Sequence, residues 1–332
     1  MDLIDQRING DPFSQPQSTH PHHQAATSVG IFFDEASFEG YPFDDPDYRI
    51  AYYELAKIIA SRGARIYILR DASTHLGGNT FRGGWELKDG EFVRVEEEIT
   101  PDILYDKGQR LEPDERTVMM NDLAFDRMCT NKWETYRRLA RFFPKTILVR
   151  EKQDIKRADR ELEGDILVAK PLDEEQGRGV IVDKRRKVCA SINTFPYLVQ
   201  EFLDTRGGIP GIVEGPHDLR MLSVNGSLLS SYVRMPKIGT LVANVGQGGA
   251  WRGIPVDSLP TEAVLLFGEI DRALAEFPHR AFSIDVGLHK DGTWKVFEIN
   301  SKPALSRLGM HEGATEFMMR IADLLLSDVR HS

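Results

Sequence analysis

The spacing of hydrophobic and polar residues predicts alternating strands and helices from residue 28 onward. Two short apolar runs, 28–33 and 64–69, predict strands, and residues 48–61 between them carry apolar side chains at helical spacing. A strand, a helix and a second strand in this order indicate a right-handed βαβ unit with a parallel sheet. Residues 102–105 predict another strand, whereas the glycine-containing stretch 75–95 predicts an irregular loop or a hairpin.

The second part of the chain predicts a mixture of short strands and helices. A helix is expected to begin after Thr130 or Asn131 as its N-cap and to stop before Pro144. Asn225-Gly226 separates two strand-like stretches, 218–224 and 227–235, and predicts a tight hairpin. The other predicted strands are 146–150, 165–170, 179–183 and 197–202, and the other predicted helices are 262–276 and 315–329.

The most informative pattern is a second hairpin, in which strand-like stretches flank Asp291-Gly292. If these two residues form the turn, counting outward places Asp285 opposite Glu298, with Asn300 on the same face. A bulge or a three-residue turn would break this register. Facing carboxylates need a proton or a cation between them, and this set of hard oxygen donors suits Mg²⁺. The alternative is an exposed Asp and Glu on a solvated sheet face.

Composition narrows the class of protein. A chain of 332 residues with 41% hydrophobic content can bury more than one core. The net charge of −9 disfavours a nucleic-acid partner, and no apolar run approaches membrane-spanning length. The two cysteines do not form a disulfide framework, so a reduced, cytoplasmic location is expected. Residues 1–27 are rich in Pro, Gln, His, Asp and Ser and predict a disordered tail.

Two stretches suit a nucleotide, and each has a plain structural alternative. Lys170 ends an apolar strand and precedes a turn containing Gly177 and Gly179, whose backbone N–H groups suit a phosphate. The alternative is an ordinary hairpin in which the aliphatic part of Lys170 packs on the surface and its ammonium reaches water. The strand around Gln200-Glu201 has a backbone that suits an adenine edge, with Glu201 accepting from an amino group or a ribose hydroxyl. The alternative is a core strand with an outward-turned carboxylate.

Two arginines on neighbouring strands suit an anion. Arg220 and Arg234 lie on the two strands that flank Asn225-Gly226, although that turn does not place them directly opposite each other. Arginine forms bidentate contacts with phosphate or carboxylate, and salt bridges to structural carboxylates are the alternative. Asn244 and the glycine segment 246–249 follow, either as an approach to phosphates or as a plain loop.

The order of these features resembles the ATP-grasp superfamily, and within it the branch of glutathione synthetases and ribosomal-protein glutamate ligases. The resemblance covers roughly residues 128–325 and is strongest in 218–222, 234–249 and 285–300. It implies an ATP-grasp fold at residues 129–330, with a lid subdomain at about 145–203 and a core at about 204–330. The βαβ region, residues 28–128, would be the preceding N-terminal domain.

The resemblance also implies roles for individual residues. Lys132 and Lys170 would contact the nucleotide phosphates, beneath a lid loop containing Gly177 and Gly179. The adenine hinge would be Gln200, Glu201, Phe202 and Leu203. Arg220 and Arg234 would hold the carboxylate substrate and the transferred phosphate, and Asn244 would contact a phosphate or a metal. Asp285, Glu298 and Asn300 would bind Mg²⁺, as two ions, with Mn²⁺ as an alternative metal.

The sequence departs from the family pattern in three places. The lid loop carries three acidic residues at 173–175, residues 206–215 look like an insertion, and Lys302 follows the strand of predicted metal ligands. The acidic lid loop puts closure of the lid over the phosphates in question. The insertion and Lys302 suggest a substrate different from those of known branches.

The activity implied by the resemblance is ATP-dependent ligation of a carboxylate to an amine through an acyl phosphate. The partners would be a small-molecule or peptide carboxylate and an amine. Dimers and tetramers are common in the family, so a homo-oligomer is one option and the oligomeric state stays open. Two alternatives use the same fold: a regulatory protein that binds ATP and partners without turnover, and a small-molecule kinase with an alcohol acceptor. ADP release that needs both an acid and an amine indicates a ligase, whereas release that needs one hydroxyl compound indicates a kinase.

Overall fold

The computed structural model describes residues 26–172, 179–237, 239, 249–305 and 313–327. The predictions made for the tail at 1–25, the acidic residues 173–175, Gly177, Asn244 and the glycines 246–248 lie outside the described residues.

The first sheet contains the predicted βαβ unit. Strand β1 (Ser28–Phe33) pairs in parallel with β2 (Arg65–Arg70) on one side and with β6 (Ile103–Asp106) on the other. Helix α1 (Pro46–Ser61) connects β1 to β2 and starts two residues earlier than predicted. The reason is its N-cap Asp45, whose carboxylate accepts the backbone N–H of Asp47 at 2.8 Å. The parallel sheet is confirmed.

The stretch predicted as a loop or hairpin is a hairpin. After β3 (His75–Gly77), β4 (Thr80–Lys88) and β5 (Glu91–Ile99) pair antiparallel over nine residues each. The turn between them is Asp89-Gly90, with both residues at positive φ. The Asp-Gly signal that predicted the later hairpin is therefore present here too, and β4 joins the sheet beside β2.

The second sheet is antiparallel and has the order β7-β10-β8-β9. The predicted helix is α3 (Lys132–Leu139), with Asn131 as N-cap, and a 3₁₀ turn at 140–142 continues it. The expected domain boundary near residue 128 falls inside helix α2 (Leu123–Thr130), which the sequence pattern did not reveal. The remaining elements are β7 (Thr146–Val149), α4 (Lys152–Glu161), β8 (Ile166–Pro171), β9 (Ile181–Lys184), α5 (Arg185–Ser191) and β10 (Tyr197–Glu201).

The third sheet is antiparallel and has the order β13-β12-β11-β14-β15. The hairpin around Asn225-Gly226 is confirmed, because both residues have positive φ and the strands end where predicted. The elements are β11 (Asp218–Val224), β12 (Ser227–Met235), β13 (Ala250–Gly253), α6 (Thr261–Ala273), β14 (Ala281–Leu288), β15 (Trp294–Asn300) and α7 (Ala314–Ser327).

The two faces of the third sheet have different environments. One face carries apolar residues such as Met221 and Ile284, which share a core with α2 and α6. The other face begins with Leu222 and Val224, which pack on α7 in a core shared with the first sheet. Further along this second face the side chains become charged, starting with Arg220, so the polar residues of the candidate site gather beyond the end of the α7 core.

Candidate active site

The predicted pairing of Asp285 with Glu298 is present, but two offsets produce it. The backbone N–H of His289 donates to Thr293 O at 2.8 Å, so the turn contains three residues, 290–292, rather than two. A bulge between Asp285 and Val286 then shifts the register by one residue in the opposite sense. The two-residue turn was wrong, and the facing pair survives because the bulge compensates for the longer turn.

The bulge also places two consecutive side chains of β15 on the same face. Val296 and Ile299 are both buried in the apolar core, although three positions separate them. Phe297 and Glu298 between them line the cavity, which Ile299 also borders, and the ring of Phe297 faces a Cβ position on Gly287, on the same face of the sheet as Asp285. Period-2 alternation assigns only Glu298 to that face, so the sequence did not predict a role for Phe297.

The cavity lies between the second and third sheets. Its walls combine apolar side chains with two lysines and one carboxylate. Strands β7, β8 and β10 supply Thr146, Lys170, Leu198 and Gln200; strand β15 supplies Phe297, Glu298 and Ile299; and the helical segment supplies Cys129, Lys132, Thr135, Tyr136 and Phe143. A cleft with apolar walls and a few charged groups can hold a flat ring with an anionic tail.

Two lysines approach Glu298 from different elements. Lys132, at the start of α3, places its Nζ 3.5 Å from Glu298 Oε1. Lys170 donates from Nζ to the carbonyl of Phe297 at 3.4 Å. Burial lowers the pKa of Lys170, Glu298 raises it and the nearby Lys132 lowers it further. Two ammonium groups beside one carboxylate leave an excess of positive charge, which suits a polyanion such as a nucleotide phosphate chain.

The predicted adenine hinge is divided by strand alternation. Gln200 points into the cavity, where its Nε2 donates to Thr146 Oγ1 at 2.8 Å. Glu201 points to the other side of β10, and its carboxylate accepts the backbone N–H of Glu163 at 2.8 Å. Phe202 and Leu203 follow the strand and are not among the cavity-lining residues. Of the four predicted hinge residues, Gln200 is the one that lines this cavity.

Arg220 and Arg234 converge on Asp285. Arg220 binds Asp285 bidentately, through Nε to Oδ1 at 2.6 Å and through Nη2 to Oδ2 at 2.7 Å. Arg234 donates from Nη2 to Asp285 Oδ2 at 2.6 Å and binds Asp218, its cross-strand neighbour, through Nε and Nη2. Asp285 is 2% exposed, so these contacts are shielded from water.

The two aspartates of this cluster have opposite pKa shifts. Burial by itself would raise the pKa of Asp285, but its contacts with Arg220 and Arg234 outweigh burial and lower the pKa to about 2. Burial raises the pKa of Asp218, because Arg234 compensates only in part and the charge of Asp285 opposes ionisation. The two arginines therefore favour the ionised form of Asp285 more strongly than Arg234 favours that of Asp218.

Asp285, Glu298 and Asn300 stay predicted Mg²⁺ ligands, and as a set they would need further oxygen donors. Glu298 and Asn300 are partly exposed, and Oδ1 of Asp285 accepts one guanidinium N–H bond from the described residues, which leaves a lone pair. Ser283, opposite Asn300, has a buried hydroxyl with no partner among the described residues. The part of the chain that the structure describes contains no cluster of three or more His, Cys, Asp or Glu side chains that could hold a metal ion. Phosphate oxygens would therefore complete the coordination.

Gly179 is the described glycine of the predicted lid loop. It has φ +68, and a Cβ there would lie 2.8 Å from Pro171 Cγ, so glycine is required for this turn next to β8. Its carbonyl accepts the hydroxyl of Tyr197 at 3.3 Å.

The insertion and Lys302 both have structural contacts. Ile209 in the insertion is buried in the core of the third sheet, and its backbone pairs with Val213. The ammonium of Lys302 donates to Asp106 and to Gly108 O at 2.6 Å each, and lies 3.3 Å from Asp126 Oδ2. Lys302 thus connects the first sheet to the end of β15. The suggestion that these two features select a different substrate stays a prediction.

Among the described residues, no helix combines the length and apolar character needed to cross a membrane.

Comparison with known sequences identifies related proteins for part of the chain. Residues 132–268 match the family model of the ATP-grasp domain of prokaryotic glutathione synthetase. A probable alpha-L-glutamate ligase of Parasynechococcus marenigrum is 30% identical over 149 residues, which is 42% of this chain and 28% of the relative. The match thus spans less than a third of the length of that curated relative.

Solved structures share the fold at low sequence identity. The RimK domain protein ATP-grasp from Sphaerobacter thermophilus is 18% identical, with a TM-score of 0.61 over 91% of this chain and 100% of that one. D-alanyl-alanine synthetase A of Vibrio cholerae is 11% identical, with a TM-score of 0.62 over 92% and 98%. A RiPP-associated ATP-grasp ligase of Chryseobacterium gregarium, in complex with ADP and a leader and core peptide, is 13% identical, with a TM-score of 0.58 over 91% and 97%. The chain therefore shares the fold of ATP-grasp proteins, and residues 132–268 are similar in sequence to the ATP-grasp domain of prokaryotic glutathione synthetases.

Proposed function

We propose that the protein is an ATP- and Mg²⁺-dependent carboxylate–amine ligase that forms an amide or peptide bond, as glutathione synthetases do. The observation that carries this proposal is the cavity between two sheets, where Lys132, Lys170 and Glu298 lie beside the cluster of Arg220, Arg234 and Asp285. The lysines suit the nucleotide phosphates, and the arginines suit a carboxylate and the phosphate transferred to it.

The proposed reaction has two steps. An oxygen of the substrate carboxylate attacks the γ-phosphorus, ADP leaves and an acyl phosphate forms; the amine then attacks the acyl carbon, a proton is lost from nitrogen and inorganic phosphate leaves. The lysines offset charge on the phosphates in the first step, and the arginines stabilise oxyanion charge in the second. A bound Mg²⁺, held by Glu298, Asn300 and Asp285, would supply further charge neutralisation. Positioning and exclusion of water supply the rest.

The names of relatives support a substrate class. They include a glutamate ligase, a D-alanyl-alanine synthetase and a ligase that was solved with a peptide. We therefore propose an amino acid or a peptide as the source of the carboxylate.

Thermal melting with Mg²⁺ and ATP tests the nucleotide site. Ligand that binds the native state raises the melting temperature by mass action, so we expect a Mg²⁺-dependent increase for wild type and none for Asp285→Asn/Glu298→Gln. The matched control is Glu316→Gln/Asp323→Asn, which removes two exposed carboxylates of α7 far from the cavity and should keep the increase. No increase for wild type at millimolar ATP would contradict the proposal.

ADP release separates the ligase from its alternatives. We expect release that requires an acid and an amine together. Release that needs only one hydroxyl compound would instead identify a kinase, and binding without any turnover would identify a regulatory protein.

A further inference from the structure

A residue outside the predicted site organises its charged cluster. Asp218 has no part in the roles assigned above, yet it binds both Nε and Nη2 of Arg234. Arg234 in turn contacts Asp285, which Arg220 binds bidentately. The result is a continuous chain of two aspartates and two arginines, whose charges balance when both aspartates are ionised, and all four side chains are 15% exposed or less.

The donors of the two arginines are used differently. Arg234 directs Nε and Nη2 to Asp218 and Nη2 also to Asp285, so within the described part of the chain only its Nη1 hydrogens are left. Arg220 uses Nε and one Nη2 hydrogen, both on Asp285. Within the described ranges, its outer fork, made of Nη1 and the second Nη2 hydrogen, has no hydrogen-bond partner and can bind an anion bidentately.

The acceptors of Asp285 are nearly used up. From the residues that the structure describes, Oδ2 accepts one bond from Arg220 and one from Arg234, whereas Oδ1 accepts a single bond from Arg220. A carboxylate has about four lone-pair sites, so about one is left for a metal ion. Any further hydrogen bond from Arg234 to Asp285 would occupy this last lone-pair site.

We propose that Asp218 is a positioning residue that holds Arg234 away from full contact with Asp285, and thereby keeps an oxygen of Asp285 open to the metal ion. This inference rests on the proposed function of the site. Its physical reason is charge balance. A buried guanidinium without its carboxylate is costly, so an Arg234 released from Asp218 turns towards the nearest remaining anion. That anion is Asp285, which it already contacts at 2.6 Å.

Metal affinity tests this inference directly. Mn²⁺ is titrated into protein with ADP, and free Mn²⁺ is counted by electron paramagnetic resonance. For Asp218→Asn, which keeps the shape of the side chain but loses its charge, we expect Mn²⁺ to bind about 10-fold more weakly in the ADP complex. The matched control is Asp271→Asn, which removes the charge from another buried Arg–Asp pair, Arg280–Asp271, outside the site; its Mn²⁺ affinity should equal that of wild type.

A double variant separates positioning from a general loss of structure. In Asp218→Asn/Arg234→Gln the arginine that would turn towards Asp285 is gone, so Mn²⁺ affinity should recover to within about 3-fold of wild type. Because this variant leaves no unpaired buried charge at these two positions, it also serves if Asp218→Asn alone does not fold. An Asp218→Asn protein with wild-type affinity, or a double variant that stays about 10-fold weaker, would overturn the inference. If wild type itself does not bind Mn²⁺ with ADP, the proposed function fails instead.

Discussion

Buried arginines occur in two regions of this molecule, and their partners differ. Arg70, at the end of β2 in the first sheet, is 3% exposed and donates to backbone carbonyls of the loop after β1, including Tyr41 O at 2.6 Å and Phe38 O at 2.8 Å. Its guanidinium also lies over the rings of Phe33 and Phe43, 5.0 Å from each centroid. None of its recorded hydrogen bonds among the described residues goes to a carboxylate.

The arginines of the third sheet face carboxylates instead. Burial lowers the pKa of Arg70 to about 10, whereas the carboxylates beside Arg220 more than offset burial and raise its pKa. A guanidinium bound to the backbone carbonyls of a neighbouring loop has little capacity to exchange partners, and it serves to order that loop. A guanidinium bound to a carboxylate can exchange it for another anion. The type of partner, rather than burial, therefore distinguishes Arg70 from Arg220 and Arg234.

The largest expected effect tests the structural arginine. Arg70→Met leaves several loop carbonyls without a donor, so we expect the free energy of unfolding to fall by about 3 kcal/mol or more, measured by urea denaturation. The control is Arg65→Met in the same strand, because Arg65 is exposed and its pairing with Glu86 should contribute about 1 kcal/mol or less. Equal losses for both variants would contradict the structural role of Arg70.

Replacing the buried Lys170 of the cavity should weaken ligand binding without lowering stability, in contrast to replacing Arg70. Lys170→Met removes a proposed phosphate partner, and we expect ADP affinity, measured by calorimetry, to fall about 10- to 100-fold. Stability should hold or rise, since burial already disfavours the charged form of Lys170. Lys145→Met is the control, because Lys145 donates to Glu161 O outside the cavity. Unchanged ADP affinity in Lys170→Met would remove Lys170 from the site.

Shape matters in the cavity as well as charge. A Cβ on Gly287 would lie 2.7 Å from the ring of Phe297 and 2.6 Å from Thr205 Cγ2, so Gly287→Ala must displace the cavity wall. We expect about a 10-fold loss of ADP affinity, or about 1.4 kcal/mol. Gly268→Ala is the control, because a Cβ there, in helix α6, meets nothing closer than 3.9 Å and should leave ADP binding unchanged. Equal ADP affinity in the two variants would contradict a role for the Phe297 wall.

The smallest expected effect concerns a buried group of the third sheet that has a structural role. His217 accepts the backbone N–H of Leu288 through Nε2 at 3.3 Å, and burial lowers its pKa below 6.5. The unfolded chain therefore binds a proton more readily, and the stabilisation by neutral His217 is lost as pH falls below about 6.5. We expect wild type to lose its advantage over His217→Gln between about pH 7.5 and about pH 5.5, measured by urea denaturation. A stability difference that is independent of pH would contradict this.

Local patterns predicted the elements that have strong local signals. Asn225-Gly226 specified its hairpin because both residues readily adopt positive φ, and β1 appeared as an uninterrupted apolar run. Helix α4 was missed because it is mostly charged, with only Ile155 and Ala158 facing the small core of the second sheet. Such a helix depends on tertiary packing of one narrow stripe, which periodicity alone does not reveal.

In the candidate site, too, some features follow from the sequence and others from the tertiary structure. The sequence by itself determined which chemical groups are present and that Asp285 and Glu298 belong to one hairpin. Only the tertiary structure decided that a bulge restores their pairing, that Phe297 joins Glu298 in the cavity, and that Arg234 lies between Asp218 and Asp285. The physical reason is that local propensities act over a few residues. Partners of buried charges are chosen by the register of strands that are distant in sequence, where desolvation makes one arrangement of ion pairs much more stable than the others.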